Sequence, residues 1–424
     1  MSLLSTRPRI ASESARKRSR VGAGPAFWIV AFAFATSMAF TTVPTPLYVL
    51  YQRRDGFSSF VVTLIYAAYA VGVIASLFLA GHVSDWLGRR RVLIPAVLLG
   101  AGSAVIFLVW RSEAGLLVAR FVSGVAVGAL TATATAQLAE LHQQARPEAG
   151  RGRADLVATA ANIGGLGLGA FVSGVLAQFV EWPLTVPYVV FLVLIVVAAA
   201  ALLAVPETVE TPEHPPRYRP QRISVEGRHV ARYAAITAAG FASFAVFGLF
   251  TSLAPAFIGG TLGHPARILA GTVVLLVFGA AAVVQSLLAA VSPLRQVTIG
   301  LATMAVSLPL IAVSVWFPDL ALFLVGGTIA GAGAGLLFRG SLSTVAGMAD
   351  PQHRGEALAG LFLMAYAGLT VPVIGLGVAV QHFQQRTSLL GFAAVILVVI
   401  AGVGAALVRL DRRGGATPDL AHER

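Results

Sequence analysis

The sequence predicts an all-α integral membrane protein with twelve transmembrane helices. Of its 424 residues, 57% are hydrophobic and only 11% are charged, whereas an ordinary soluble domain is about 25% charged. The mean hydropathy is +0.83, and the apolar runs reach about 18 residues or more, the length that crosses a bilayer as a helix. Lipid leaves only helices or closed barrels as spanning structures. The runs are continuous rather than alternating, so they indicate helices.

Twelve apolar runs define the predicted spans, numbered 1 to 12 along the chain. Their limits are 26–50, 59–80, 92–110, 115–140, 154–178, 184–205, 233–257, 267–290, 296–316, 320–346, 357–381 and 388–409. The longest connection is rich in proline and arginine, which is typical of a flexible linker. We therefore expect a basic tail (1–25), a six-helix bundle (26–206), a linker (207–232), a second six-helix bundle (233–409) and a short tail (410–424).

Basic residues are distributed unequally between the two sides of the predicted bundle. An even number of spans puts both chain ends on one side, and 23 of the 30 Lys and Arg residues lie in the tails and loops of that side. Five lie in the opposite loops, and Arg120 and Arg339 fall within spans. Since cytoplasmic loops carry the excess of basic residues, we expect both chain ends in the cytoplasm. Arginine-rich usage, with Lys17 as the only lysine, indicates a high-GC genome, and we expect the protein in a bacterial inner membrane.

An internal repeat supports two equivalent halves. The segment 40–43 of span 1 matches 250–253 of span 7, and proline follows shortly after each. Glycines recur at corresponding positions of spans 4 and 10, namely Gly124, Gly128, Gly331 and Gly335. An even number of spans in each half makes these parallel repeats, related by an axis along the membrane normal.

The turn between spans 2 and 3 carries the most specific motif. Residues 81–91 bring small residues, one acid and three arginines together at a membrane surface. The turn resembles the signature G-x-x-x-D-x-x-G-R-R/K-R/K of the major facilitator superfamily, matched by Gly81, Asp85, Gly88, Arg89, Arg90 and Arg91. A second signature of that family, R-x-x-x-G-x-x-x-G on span 4, is matched by Arg120, Gly124 and Gly128. The resemblance covers about 26–409. It implies a central cavity lined by spans 1, 4, 7 and 10, and alternating access.

The resemblance also implies that this turn acts as a conformational latch. We assign to the latch Gly81, Asp85, Gly88, Arg89, Arg90 and Glu140. Asp85 is expected to face the positive N-terminal end of a helix in the other half, span 11, and Arg89 to pair with Glu140 at the end of span 4. The alternative is that the arginines only follow the positive-inside rule.

Charged residues within or beside the spans are the next candidates. Inserting an arginine into the membrane costs roughly 2.5–3.5 kcal/mol on insertion scales, so we expect Arg120 to have a specific role. The resemblance implies a role in coupling or in cavity polarity, and snorkelling to the outer surface is the alternative. Gly124 and Asp155 complete the coupling candidates. Arg339, well inside span 10, is expected to contact substrate, with snorkelling inward or pairing with Glu140 as alternatives.

Polar and aromatic residues on the inward spans are candidates for the substrate cavity. They are Thr41, Thr42, Thr45, Tyr66, Tyr69, Gln137, Asn162, Gln285, Arg339 and Tyr366. Helix packing is the alternative role for each of them. No Asp or Glu lies in the middle third of any predicted span, whereas proton-coupled multidrug exporters of the family it resembles often carry a carboxylate there that exchanges a proton for a cationic drug. The resemblance therefore implies neutral or anionic compounds rather than cations. Span 5 resembles the glycine-rich signature of the family's exporters, with Ala170 in place of its proline.

Several other classes of function gain no support. The absence of cysteine excludes thiol catalysis and cysteine-based metal sites, and the eight His lack metal-ligand spacing. No nucleotide-binding Gly-Lys-Ser/Thr occurs, and no constellation supports a catalytic site, a metal or a cofactor. The net charge of +12 lies in short loops beside spans, so it does not indicate nucleic acid.

These observations predict one class of function, secondary transport, and leave two alternatives for its direction and substrate. We expect a monomeric secondary transporter, embedded in lipid, that exports amphipathic drug-like or metabolite compounds in exchange for protons. The alternative is a proton symporter that imports a small organic anion or another nutrient.

Overall fold

The computed structural model describes residues 21–81, 83–209, 218–223, 225, 227–350 and 353–414. Most of the predicted basic tail (1–20), the middle of the predicted linker (210–217) and the end of the predicted C-terminal tail (415–424) lie outside the described residues.

Twelve apolar helical segments make up the described chain, as predicted. Span 1 comprises Ala23–Thr42, a 3-10 turn at Thr45–Leu47 and Tyr48–Asp55, and spans 2, 3 and 4 are Ser59–Ala80, Arg89–Val109 and Glu113–Ala145. Span 5 comprises Gly152–Thr159, a π-helical turn at Ala160–Gly164 and Gly165–Phe179, and span 6 is Val186–Leu202. Span 7 comprises Val230–Ser252 and Ala254–Gly260, and spans 8 and 9 are Arg267–Leu287 and Pro293–Trp316. Spans 10, 11 and 12 are Leu320–Met348, Arg354–His382 and Gln385–Gly414.

The lengths of these helices fit a membrane protein. Eleven are long and apolar enough to cross a bilayer, and span 6 is a shorter apolar helix of 17 residues. Both ends of the described chain therefore lie on one side of the bundle, the terminal side, and the other side is the opposite side. Short helices also occur between spans, at Ser84–Leu87 and as a 3-10 turn at Gly227–His229.

The two halves pack by the same scheme. In the first half, span 4 packs on spans 1, 2 and 3, and span 1 also packs on spans 5 and 6. In the second half, span 10 packs on spans 7, 8 and 9, and span 7 also packs on spans 11 and 12. Adding six to each span number converts one set into the other. The halves meet through spans 5 and 8 and through spans 2 and 11, a pairing that has the same symmetry.

Glycine allows the helices within each half to approach closely at equivalent points. A Cβ atom on Gly124 of span 4 would lie 2.0 Å from the backbone oxygen of Tyr69 in span 2. A Cβ atom on Gly331 of span 10 would lie 2.1 Å from the backbone oxygen of Val277 in span 8. The repeated glycines therefore mark repeated helix contacts, of the kind that small residues permit in membranes.

Spans 1 and 7 are both interrupted where the repeated segment occurs. Pro44 and Pro46 follow the first helix of span 1, and Pro255 follows the break in span 7, because proline supplies no backbone donor and blocks helix continuation. The hydroxyl of Thr41 donates to the carbonyl of Met38 at 2.7 Å, and that of Ser252 donates to the carbonyl of Gly248 at 2.6 Å. The breaks place short polar segments near the interface between the halves.

Candidate functional site

A cavity lies between the halves, enclosed by four spans of each. Spans 1, 2, 4 and 5 face spans 7, 8, 10 and 11 across it. Its lining residues are Met38, Thr41, Thr42, Tyr66, Tyr69, Arg120, Thr131, Asn162, Ile163, Leu166, Phe244, Phe247, Thr251, Phe278, Phe338, Phe362, Tyr366 and Leu369. The cavity has a volume of about 110 Å³, below the roughly 300–1,000 Å³ of typical small-molecule sites. A drug-sized occupant therefore requires the halves to move apart.

On the opposite side, the cavity is closed by contacts between the halves. The hydroxyl of Thr45 in span 1 donates to the backbone carbonyl of Thr251 in span 7 at 2.9 Å. The hydroxyls of Thr251 and Tyr66 in span 2 are also hydrogen-bonded to each other. Nearer that surface, Gln381 of span 11 donates to the hydroxyl of Ser58 at 3.3 Å. We call these contacts the opposite-side seal.

On the terminal side, the described part of the linker lies between the halves. The backbone N–H of Gln221 donates to the carbonyl of Phe78 at 2.9 Å, and the Tyr218 hydroxyl donates to the carbonyl of Leu79 at 3.0 Å. The side chain of Gln221 also approaches Gly355 at the start of span 11. Linker residues therefore contact the terminal ends of both span 2 and span 11.

Arg120 is the charged residue of the cavity lining. It is only 2% exposed, and Nη1 donates to the backbone carbonyl of Thr41 at 2.6 Å. The guanidinium carbon lies 5.2 Å from the ring centre of Tyr66 and 4.6 Å from that of Tyr69, which is within the range of cation–π attraction. Arg120 is therefore turned into the bundle, and the alternative of snorkelling to the opposite surface does not hold.

Aromatic side chains from the second half form the other wall of the cavity. Phe244 lies 4.8 Å from Phe338 and 5.4 Å from Tyr366, measured between ring centres. Phe247 is stacked on Phe278 at 4.7 Å. The cavity thus has a polar wall from the first half and an aromatic wall from the second.

Span 5 contributes the π-helical turn at Ala160–Gly164, and Asn162 within it lines the cavity. Turns of this kind are rare and occur frequently at functional sites. The hydroxyl of Thr42 donates to the carbonyl of Leu166 just beyond the turn, at 2.6 Å. This contact fixes the irregular part of span 5 against span 1.

The structure brings together seven of the residues predicted from the sequence. Thr41, Thr42, Tyr66, Tyr69, Arg120, Asn162 and Tyr366 all line the cavity. The sequence did not indicate the five phenylalanines of the aromatic wall, although all five lie on spans 7, 8, 10 and 11. Their apolar character made them indistinguishable from residues that face lipid.

Four predicted cavity residues lie elsewhere in this conformation. Thr45 belongs to the opposite-side seal, and buried Gln137 donates to the carbonyl of Pro206 at 3.3 Å. Gln285 is buried without contributing to the cavity lining. Arg339 is half-buried in span 10 beside Phe338, which lines the cavity in its place. Among the described residues Arg339 has no ion pair, and its proposed partner Glu140 is bound to Arg89 instead.

The predicted latch residues form a network on the terminal side. Nη2 and Nε of Arg89 donate to Oε1 of Glu140 at 3.0 and 3.2 Å, and Nη1 donates to the hydroxyl of Ser84 at 2.8 Å. Nη1 also pairs with Asp85. The side chain of Asp85 is 62% exposed. No hydrogen bond or ion pair joins Asp85 to span 11 among the described residues, and its expected contact there stays a prediction.

Glu207 completes this network from the end of span 6. Its carboxylate accepts from the backbone N–H groups of Arg89 at 2.7 Å and Arg90 at 3.1 Å, which stabilises the N-terminal end of span 3. Gly88 precedes these residues with a φ of +108°, and a Cβ atom on it would lie 2.6 Å from Glu207. Only glycine fits there, which explains the residue at this position of the turn.

The three remaining predicted residues lie outside both the cavity lining and the network around Arg89. Gly81 ends span 2, where its N–H donates to the carbonyl of Leu77 at 3.1 Å. Gly124 packs span 4 against span 2 behind the cavity wall. Asp155 is exposed near the start of span 5 and lies outside the cavity lining. The coupling roles assigned to Gly124 and Asp155 stay predictions.

Comparison with known proteins agrees with this architecture. The sequence matches the family model "Major Facilitator Superfamily" over residues 27–296. No curated protein sequence matches the chain significantly.

The following three are among the solved structures that share the fold. One is a POT family transporter in complex with 5-aminolevulinic acid, with a TM-score of 0.72, 11% identity, and coverage of 90% of this chain and 95% of that one. Another is a point mutant of the nucleoside transporter NupG, with a TM-score of 0.69, 13% identity, and coverage of 90% and 99%. The third is the human organic anion transporter MFSD10 (TETRAN), with a TM-score of 0.67, 17% identity, and coverage of 91% and 100%.

Proposed function

Because the chain belongs to the Major Facilitator Superfamily, it is a membrane transporter of small molecules and not an enzyme, and we propose that it exports amphipathic compounds in exchange for protons. The main support for this proposal is that the cavity has one polar wall and one aromatic wall. Aromatic rings such as Phe244 and Phe247 offer an apolar surface to one part of a ligand, while Arg120 and the threonines of span 1 offer polar groups to another part. Few polar groups in a mainly apolar cavity are typical of small-molecule sites.

Alternating access fits the arrangement of the halves. The opposite-side seal depends on a few hydrogen bonds, including Thr45 to Thr251, each worth about 1 kcal/mol net. The latch network around Arg89 belongs to one half, so it can remain intact while the halves tilt. If the chain ends are cytoplasmic, as the distribution of arginines predicts, this conformation is closed toward the outside.

Coupling to protons requires an acid that changes its protonation during the cycle. No Asp or Glu of the described chain lines the cavity, so the proton would be carried by Asp85, Glu140 or Asp155 on the terminal side. Asp155 is the simplest candidate because it is exposed and, within the described chain, forms no ion pair. Asp155→Asn should then lower proton flux while substrate binding remains.

Import of an organic anion with protons is the second candidate function. It is favoured by Arg120, a buried cation in the cavity, and it agrees with the similarity in fold to MFSD10, an organic anion transporter. The two functions share one cavity and differ in the direction of the proton relative to the substrate.

Proton flux in proteoliposomes tests both candidates. The purified chain is reconstituted with a pH-sensitive dye inside, and hydrophobic drugs and organic acids are added one at a time. Substrate and protons moving in opposite directions would support export by exchange, and movement in the same direction would support the symporter. Absence of any coupled flux across the panel would count against proton coupling of either kind. Liposomes without protein control for leakage.

A further inference from the structure

We propose that Arg120 binds a carboxylate of the transported compound, so that the preferred substrates are amphipathic organic monoanions. This inference rests on the proposed transport function and assigns a substrate class to its cavity.

The charge of Arg120 is not compensated by the protein. The ion pairs of the described chain, Arg54–Asp55, Arg89–Asp85, Arg89–Glu140 and Arg232–Asp411, all lie near helix ends. None of the described acidic residues pairs with Arg120, and none lines the cavity. A buried cation without a partner is unfavourable, so a bound anion would supply the interaction that the protein omits.

The hydrogen bonds of Arg120 leave one edge of the guanidinium group without an acceptor. Nη1 donates to the carbonyl of Thr41, whereas Nε is buried without a hydrogen-bond partner. In the described chain, no acceptor is bound to Nη2 either. Nε and Nη2 form one side of the planar fork, and two parallel N–H groups of this kind match the two oxygens of a carboxylate.

Tyr66 and Tyr69 hold this fork in place. Both rings lie within 5.2 Å of the guanidinium carbon, and Tyr66 is fixed in turn by its hydrogen bond with Thr251. The cation is therefore held by rings and a carbonyl, neither of which neutralises its charge. A guanidinium held in advance loses little freedom when an anion binds.

The aromatic wall determines what the rest of the ligand must be. Phe244, Phe247 and Phe278 present ring surfaces to the same cavity, and they offer neither hydrogen bonds nor charge. A compound with one carboxylate and an aromatic or branched apolar body satisfies both walls. A dianion would leave one charge without a partner, because Arg120 is the single Arg or Lys in the lining of this cavity as described.

A matched pair of ligands tests the inference on the unmodified protein. The full chain in lipid nanodiscs is titrated at pH 7 with 1-naphthylacetate and, separately, with 1-naphthylacetamide, and the dissociation constants are measured by calorimetry. The two compounds share the aromatic body, and only the first is an anion at this pH. We expect the acid to bind at least about tenfold more tightly than the amide, a factor typical of a charged hydrogen-bonded contact.

Variants locate the effect at Arg120. Arg120→Gln should remove the preference for the acid, and Arg120→Lys, which keeps the charge and loses the fork, should retain part of it. Arg386→Gln is the matched control, because it removes one positive charge from the opposite-side end of span 12, outside the cavity lining, and should retain the full preference. If Arg120→Gln does not fold, Tyr69→Leu replaces it as the test variant. Tyr69→Leu should weaken binding of the acid more than binding of the amide.

Three results would overturn the inference. They are equal affinity for acid and amide in the unmodified chain, a preference that survives Arg120→Gln, and failure of the unmodified chain to bind the acid at all. Transport of neutral aromatic compounds with no preference for acids would contradict the inference and leave the proposed function intact. A clear acid preference without any transport in proteoliposomes would contradict the proposed function and leave the carboxylate site intact.

Discussion

The hydroxyl of Thr45 in span 1 donates to the backbone carbonyl of Thr251 in span 7, across the interface between the two halves. Both residues lie at the breaks in their spans. Each break comes at the end of one copy of the repeated segment, 40–43 in span 1 and 250–253 in span 7. A feature duplicated in the sequence thus meets its counterpart in space. The contact closes the cavity on the opposite side, so breaking it should change which side is accessible.

Thr45→Val removes this donor and should weaken the opposite-side seal by about 1 kcal/mol, which shifts the population toward opening roughly fivefold. The chain contains no cysteine, so a Ser58→Cys and Gln381→Cys pair can report closure by disulfide formation without background. Thr45→Val should lower the yield of this cross-link. Thr298→Val is the control, since its hydroxyl bonds only to Leu294 in its own helix. An unchanged yield for Thr45→Val would refute the role of the seal.

Asp85→Asn should cut transport and leave expression intact. The carboxylate of Asp85 pairs with Arg89 in this conformation and is largely exposed, and the latch hypothesis has it face the start of span 11 after the halves tilt. Neutralising it should therefore change the energy balance between conformations without removing packing. Transport rate and membrane protein level are measured together. Arg91→Gln is the control, because Arg91 is exposed and no hydrogen bond or ion pair is found for it in the described chain. Equal rates for Asp85→Asn and the unmodified protein would argue against the latch.

Gly88→Ala should destabilise the terminal side. Gly88 has a φ of +108°, and its Cβ would meet Oε2 of Glu207 at 2.6 Å, so the substitution should cost about 1–3 kcal/mol. A lower melting temperature in detergent is expected. Gly100→Ala introduces the same methyl group into span 3 where no atom lies within 4 Å, and it should leave the melting temperature unchanged or raise it slightly. Similar effects for both variants would contradict this account.

Gly124→Ala and Gly331→Ala should impair folding to a similar extent, one in each half. The added methyl groups would lie 2.0 Å from the oxygen of Tyr69 and 2.1 Å from that of Val277, so the helices must separate at a cost of about 1–3 kcal/mol or more. The fraction of monodisperse protein after size-exclusion chromatography measures the effect. Gly375→Ala, with no neighbour within 4 Å, is the control. A tolerated Gly124→Ala would show that the backbone can move apart there.

Phe247→Ala should weaken binding of 1-naphthylacetate and its amide equally. Phe247 is stacked on Phe278 at 4.7 Å in the cavity wall, and aromatic contacts of this kind contribute about 0.5–1.5 kcal/mol. Calorimetry on both ligands separates this effect from that of Arg120, which concerns the acid alone. Phe317→Ala, at an exposed position between spans 9 and 10, should change neither affinity. A loss confined to the acid would assign Phe247 a different role.

The fold was largely predictable from local properties of the sequence. Helices in lipid satisfy their own backbone hydrogen bonds, so the twelve apolar runs predicted the twelve helical segments with limits that differ by only a few residues. The motif at 81–91 and the glycines of span 4 predicted the family. Such motifs can be recognised in the sequence because their residues lie close together along the chain, as Gly88 and Arg89 do.

The cavity was predictable only in part. Polar residues within spans are rare and therefore conspicuous, which is why Tyr66, Tyr69, Arg120 and Asn162 were identified. The phenylalanines of the other wall were not identified, because a Phe contributes the same hydrophobicity to the sequence whether it faces a cavity or lipid. Gln137 and Arg339 were placed in the cavity from their span alone, although the rotation of a helix about its axis is set by its neighbours.

The sequence by itself determined the membrane class, the number of spans, the twofold repeat and the family, because these follow from hydropathy, charge and short-range motifs. Tertiary structure alone decided which side chains meet. It joined Arg89 to Glu140 and Glu207, turned Arg120 onto Tyr66 and Tyr69 without an acid among the described residues, and set it opposite the aromatic wall. These contacts link residues far apart in the chain, and their geometry depends on how twelve helices are packed and rotated against one another.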